Sequence, residues 1–361
     1  MSSKVTTRVR TALQINMHPF DAPHVVHTLP HQLRAWGGQV ERVVITVDTR
    51  LASAGRYRAG RYEEARTTLF SALEEIQHDH PNLIIDPVSY DAQTREAIGQ
   101  AFFSRTPDLP DRAFDGGPFY VYFHGLLRAN ADYVLHMDSD MLFGGGSQTW
   151  IEDAIALFDA EPDALFVGPF PGPPRADGSL DPAVHTGFPG LSGVAAPIRI
   201  EGPIPAYRFS TVSTRIFMMD MRRFASRIGS LDLLQPDFKR RMRSLAFGEI
   251  PRSMPAEEML SATLASQGLS RIDYLGQGAG MFSLHPPYRT AEFYRMLPEL
   301  IARIENGDIP EGQRGDFDMN ASMIDWSAAL AAKRPSARYR KALSQLMRVQ
   351  IRRLSGAFAT R

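Results

Sequence analysis

Two aspartates one residue apart, Asp138 and Asp140, end the run YVLHMDSDMLFGGG from Tyr133 to Gly146. A carboxylate is costly to bury unless it is paired or bound to a metal. An apolar run that delivers two of them is either a solvated strand-end turn or a site for a hard divalent cation. Such an ion takes oxygen ligands, bridges phosphate oxygens and stabilises charge on a departing nucleoside diphosphate. Other chemistry-bearing residues can join the pair. Asp48 ends RVVITVD, and Glu257 and Glu258 lie early in RSMPAEEMLSATLASQG. His285 follows AGMFSL, precedes Pro286-Pro287, and can complete a metal shell through a neutral ring nitrogen. A glutamate can also take the proton of an attacking hydroxyl, although the helix dipole alone favours acids in a first turn.

Four histidines fall in HPFDAPHVVHTLPH: His18, His24, His27 and His31. The four-residue step from His27 to His31 is zinc-like, but Pro30 intervenes and no acid stands at metalloprotease spacing. His18, just past a strand, is expected near a nucleotide, and the other three on a helix surface. Gly144 to Gly146 lack a following Walker lysine and read as a flexible turn.

The elements that must position these residues alternate in the manner of parallel α/β units. Strands are expected at Ala12–Met17, Arg42–Asp48, Asn82–Val88, Tyr133–Met137 and Ala164–Gly168, with helices over His24–Trp36, Tyr62–His78, Phe119–Ala129 and Trp150–Asp159. Residues 89–117, with Pro107, Pro110 and Gly116, read as irregular. Nine prolines and seven glycines between Gly168 and Pro205 make regular structure unexpected there. FSTVSTRIFMMDM reads as a strand or strand pair. The next helix has Ser253 as its cap, Pro255 early and Gly268 as its stop. SRIDYLG and AGMFSLH read as short strands. Ligands of open α/β sheets lie beyond the carboxyl ends of the strands, so Asp48 and the DSD pair are expected to share one crevice.

The bulk composition excludes several classes. The 361 residues carry 40 basic and 40 acidic side chains, which gives no global pointer to nucleic acid. There is no cysteine, so disulfides, thiol chemistry and cysteine zinc sites are out. No run reaches the roughly 18 apolar residues of a spanning helix, and the first residues lack a secretory pattern, so a soluble, cytoplasmic protein is expected. From Trp326 onward there are nine Lys or Arg and no acid. RYRKALSQLMRVQIRRL is amphipathic there: it either docks on the domain with its basic face in water or lies on the anionic inner face of a membrane.

The ordered set of ITVDT, GLLRANADYVLHMDSDML, STRIFMMDMRRF, AEEMLSATLASQGLSRIDYLG and LHPPYR resembles the glycosyltransferases of the GT-A fold, especially their inverting, family-2-like group. The resemblance covers about residues 11–290. It implies an open, mostly parallel, Rossmann-like mixed sheet flanked by helices, with a nucleotide-sugar half over 11–143 and an acceptor half over 144–290. The Pro/Gly-rich loop 168–205 would be an acceptor lid, and 291–361 a helical, basic extension. Carried over, Asp48 and Asp138 contact the nucleoside of the donor, and Asp138, Asp140 and His285 surround Mn2+ or Mg2+. The family usually carries Glu-Asp where this chain has Glu-Glu, so either Glu257 or Glu258 is the base, Glu258 by alignment. The implied reaction moves a sugar from a nucleoside diphosphate, UDP first among them, to the hydroxyl of a carbohydrate, lipid-linked or small-molecule acceptor. Two rivals use the same residues: a haloacid dehalogenase-like phosphatase with Asp138 as nucleophile, and a non-catalytic binding or scaffold subunit.

Overall fold

Central strands of a covered parallel sheet are buried on both faces. The computed structural model describes residues 9–50, 61–103, 108–180, 195–246, 252–332 and 347. In it β1 (Thr11–Met17), β2 (Arg42–Val47), β3 (Leu83–Pro87) and β4 (Tyr133–Asp138) run parallel in the order β3-β2-β1-β4. Of these, β1, β2 and β4 are buried on both faces, while β3, at the sheet edge, leaves Ile84 exposed. Beyond β4 lie β9 (Ile216–Asp220), antiparallel, then β6 (Ala164–Pro171) and β10 (Ser270–Tyr274), parallel to each other. Two antiparallel strands, β8 (Ala206–Phe209) and β7 (Ile198–Arg199), finish that edge. The expected fold class, an open mixed sheet that is mostly parallel and flanked by helices, is the one observed.

Alternation along β1 feeds two cores. Leu13, Ile15 and Met17 pack with α1 (Ala22–Trp36), α2 (Tyr62–Asp79) and α5 (Trp150–Ala160) on one face. Ala12 packs with α3 (Ala92–Phe102), α4 (Tyr120–Ala129) and α8 (Ala256–Gln267) on the other. Short α6 (Met221–Arg223) and α7 (Phe238–Ala246) lead from β9 toward α8. A third core joins β5 (Leu142–Gly144) and β11 (Phe282–Leu284) to α9 (Ala291–Glu305), α9 laying Phe293, Leu297, Leu300 and Ile304 inward. The last described helix, α10 (Ser327–Ala332), follows Trp326. Most of the basic amphipathic segment, 333–346 and 348–361, lies outside the described residues, and no described helix is long and apolar enough to cross a membrane.

Four expectations need correction. The stretch read as irregular contains α3: Asp91 caps it by accepting from the Thr94 amide at 2.7 Å, and Ile98 and Phe102 bury one face. The Pro/Gly-rich segment begins as strand, because β6 continues to Pro171. Its prolines alternate with the Phe170 and Gly172 amides, which donate to Met281 O and Ser283 O at 3.1 and 3.0 Å, so Pro169 and Pro171 cost no bond there. Residues 181–194 of the expected lid lie outside the described residues. Of the three glycines, Gly144 is not turn but the end of β5, with its hydrogen atom facing the Phe282 ring. Ser253 does not cap α8; the N-cap is Pro255, without a side-chain bond, while Gly268 stops the helix at φ 62° as expected.

The register sets the functional geometry. Asn16 lies opposite Asp138, Met17 opposite Val47, and the Asp48 amide donates to Met17 O at 2.8 Å, so the carboxyl ends of β1, β2 and β4 finish level. Helix α4 crosses closely above β1: a Cβ on Gly125 would stand 2.4 Å from Nε2 of Gln14, which is already bonded to Asn16 and Thr46. Gly125→Ala should therefore lower the thermal midpoint, because overpacking of about 1–3 kcal/mol outweighs the ~1 kcal/mol gained in helix propensity.

Candidate functional site

The DSD turn is held from behind by one polar stripe of α1. His24, Thr28, His31 and Gln32 repeat at three- and four-residue spacing, which places them on one face, and all are at most 1% exposed. Nε2 of His24 meets the Ser139 hydroxyl at 2.9 Å, and the Thr28 hydroxyl donates to Ser139 O at 2.7 Å. The Gln32 amide nitrogen lies 3.0–3.3 Å from the carbonyl oxygens of Asp138, Ser139 and Met141. Nε2 of His31 accepts from the Phe143 amide at 2.9 Å, and its Nδ1 faces Glu305 at 2.7 Å. His24 and His31 are thus not helix surface, as expected from sequence, but buried supports of the turn. Helix α1 runs through Pro30.

With the backbone fixed, Asp140 turns inward and is 2% exposed. Burial opposes its charge, yet the Arg289 guanidinium beside it holds its carboxyl well below the usual carboxylate range. Nε and Nη2 of Arg289 both reach Oδ2, at 2.7 and 2.6 Å, and Nη1 reaches Asp21 Oδ1 at 2.7 Å. The other oxygen of Asp140, Oδ1, is buried with no hydrogen-bond partner. Asp138, at the mouth of the turn, is partly exposed, and its amide donates to Arg215 O at 2.8 Å.

Across the cavity His285 is fixed on both sides. Nδ1–H donates to Asp318 Oδ1 at 2.6 Å, which leaves the Nε2 lone pair toward Arg215 Nη1. Burial keeps this ring neutral by lowering its pKa, against the upward pull of Asp318. A carboxylate behind an imidazole is the usual support of a metal-binding histidine. Together with the orphaned Oδ1 of Asp140, a carboxylate-and-imidazole set fits a hard or borderline divalent ion such as Mn2+. As the side chains stand, no three His, Asp or Glu among the described residues form a ready metal cluster. Guanidinium groups face the ligand atoms instead.

The other candidates line the same cavity of about 760 Å3. Asp48 accepts from the Tyr90 hydroxyl at 2.8 Å and from Arg112 at 3.0 Å. His18 caps the turn Pro19–Asp21, its Nδ1 accepting from the Phe20 amide at 3.2 Å, and burial lowers its pKa against the pull of Asp21 and Asp48. At the start of α8 the glutamates part company. Glu257 accepts from the Thr214 amide at 2.9 Å; Glu258 makes one ion pair, with Arg240 of α7, at 3.4 Å. Burial raises the pKa of both, opposed by Thr214 at Glu257 and by Arg240 at Glu258. On β10 the buried pair Arg271 and Asp273 forms a further part of the wall, and burial pushes Asp273 up to about 6.

All seven residues picked from sequence, His18, Asp48, Asp138, Asp140, Glu257, Glu258 and His285, therefore line one cavity. Asp21, Arg112, Arg215, Arg271, Arg289 and Asp318 line it too and were missed. Four of them fall in stretches already singled out: Asp21 in HPFDAPHVVHTLPH, Arg215 in STRIFMMDMRRF, Arg271 in AEEMLSATLASQGLSRIDYLG and Arg289 at the end of LHPPYR. The cavity wall carries ten carboxylates and four guanidinium groups, so a bare diphosphate would meet net repulsion.

No protein-family model matches the chain, and no curated protein matches it. Among solved structures the fold is similar to the mannosyltransferase PcManGT from Pyrobaculum calidifontis in complex with GDP-Man and Mn2+: 12% identity, 97% of this chain and 88% of that chain, TM-score 0.39. It is also similar to GalNAc-T7 with UDP, GalNAc and Mn2+, at 10% identity over 78% of this chain, TM-score 0.39. A third is S. aureus TarS 1-349 with UDP-GlcNAc, at 14% identity over 81% of this chain, TM-score 0.38. The chain spans 44% of GalNAc-T7 and 65% of that TarS chain. At such low identity and overlap these likenesses carry no weight for activity, which is read from the side chains of the cavity.

The Gln32 amide gives the support of the turn a direct check. Gln32→Met keeps the volume and removes the donor to three carbonyls, which should cost about 1–3 kcal/mol in urea unfolding.

Proposed function

We propose that the protein is a metal-dependent glycosyltransferase that moves a sugar from a nucleoside diphosphate, UDP first among the candidates, to an acceptor hydroxyl with inversion. One observation carries this reading: seven residues picked from separate parts of the sequence for this chemistry line a single cavity at the carboxyl end of the sheet. Asp138, Asp140 and His285 would hold Mn2+ or Mg2+, which when bound supplies positive charge to the departing diphosphate. His18, Asp48 and Arg112 form the wall that would receive the nucleoside.

Glu258 is the base. Glu257 spends its Oε2 on the Thr214 amide and so fixes the start of α8, whereas Glu258, among the described residues, has one ion pair, with Arg240, that an acceptor can displace. The acceptor oxygen attacks the anomeric carbon, its proton passes to the Glu258 carboxylate, and the bond to the diphosphate breaks with its electron pair on the leaving oxygen. The segment 168–205 borders the acceptor side through Pro169 and Pro171.

Calorimetric titration of UDP, GDP and dTDP, with and without Mn2+, tests the donor half. Binding that requires Mn2+ and is lost in a folded Asp140→Asn variant supports it. No nucleotide bound by the wild type, or hydrolysis of simple phosphate esters instead, overturns it. For the base, activity must fall as pH drops through the Glu258 pKa. Because burial raises that pKa above the ordinary 4.5, the acid limb of kcat should lie above 4.5. Glu258→Gln should remove at least about 100-fold of kcat, with nucleotide affinity kept; Glu257→Gln should cost stability as well.

A further inference from the structure

Arg289 meets the buried carboxylate of Asp140 on one side. Its Nε hydrogen bond and its Nη2 ion-pair contact with Asp140 both fall on one oxygen, Oδ2, while Oδ1, also buried, has no hydrogen-bond partner. Its third nitrogen is anchored on Asp21, whose other oxygen accepts from the His18 amide at 2.8 Å. The guanidinium therefore has two attachments of different kinds. The Asp21 end is tied to the turn after β1. The Asp140 end faces a carboxylate with an oxygen to spare, while Nε2 of His285 on the same cavity wall meets the Arg215 guanidinium. Pro286 and Pro287 stiffen the link from His285 to Arg289, so the two side chains keep their relation.

Resting on the donor-site reading above, we propose that a divalent cation and a nucleoside diphosphate bind with positive linkage through Arg289. Without the cation, Arg289 neutralises buried Asp140 and is unavailable to phosphate. When the cation takes Asp140, the Asp140 end of the guanidinium is released, Asp21 keeps its hold, and the freed N–H groups turn to the diphosphate oxygens. No bond is made or broken covalently; the step exchanges one cation for another on a carboxylate.

The test measures Mn2+ binding alone, then UDP and GDP binding at saturating Mn2+, in wild type and Arg289→Gln. Removing the competitor should strengthen binding of Mn2+ alone about fivefold, and losing the phosphate donor should weaken Mn2+-dependent nucleotide binding about tenfold. Opposite signs are the signature, since general damage to the site weakens both. Because Arg289→Gln leaves Asp140 buried without its counter-ion, Arg289→Lys keeps the charge and should move both affinities the same ways by less. Unchanged or weaker Mn2+ binding in both variants, with nucleotide binding by the wild type intact, overturns the linkage alone. A wild type that binds no nucleotide with Mn2+ overturns the donor site itself.

Discussion

A carboxylate taken out of water must be answered by positive charge, and much of this molecule is arranged around that demand at Asp140. The answer arrives as Arg289, which lies 149 positions later in the chain. To bring it there, β11 must pair with β5 and with the end of β6, which in turn sends His285, two prolines and Arg289 across the mouth of β4. The turn carrying Asp140 must also stay still, and α1 supplies this by aiming a buried amide, a hydroxyl and the His31 imidazole at main-chain groups and the His24 imidazole at the Ser139 hydroxyl. The rigidity of this turn is thus built mostly from hydrogen bonds to main chain, which leave the acid side chains turned to the cavity.

The opposite side of the cavity is built differently. Proline-rich strand, the Arg271–Asp273 pair and the first turn of α8 form its wall. Here two neighbouring glutamates with the same chemistry have unlike surroundings, one locked to a loop amide and one near the open side.

Much of this was legible in the sequence. Strands buried on both faces announce themselves as Val, Ile and Leu runs, and each of the four parallel strands around the site stands within a residue or so of its expected span. Acids at their ends were visible for the same reason: charge after an apolar run is conspicuous. What stayed hidden was polar burial. His24, Thr28, His31 and Gln32 have the spacing of a solvated helix face, and only the presence of the DSD backbone above them shows that they are interior. The arginines were hidden because a guanidinium beside a carboxylate depends on long-range register, which local pattern does not carry. Helix α3 was masked by the prolines and glycine that follow it, and Ser253 met the composition of a cap without the geometry.

The wall behind His285 comes from late in the chain. His285 and Asp318 form a parallel bridge, the His285 amide donating to Phe317 O and the Met319 amide to His285 O, both at 2.9 Å. Domains are made from the N-terminus onward at about 5–20 residues per second. The sheet core around β1, β2 and β4 therefore leaves the ribosome with Asp140 still unanswered, on the order of ten seconds before Arg289 and Asp318 follow. During that interval the nascent chain holds an acid that must stay hydrated or protonated. The crevice can close only when synthesis has passed Met319, which makes its completion a late event in the life of each molecule.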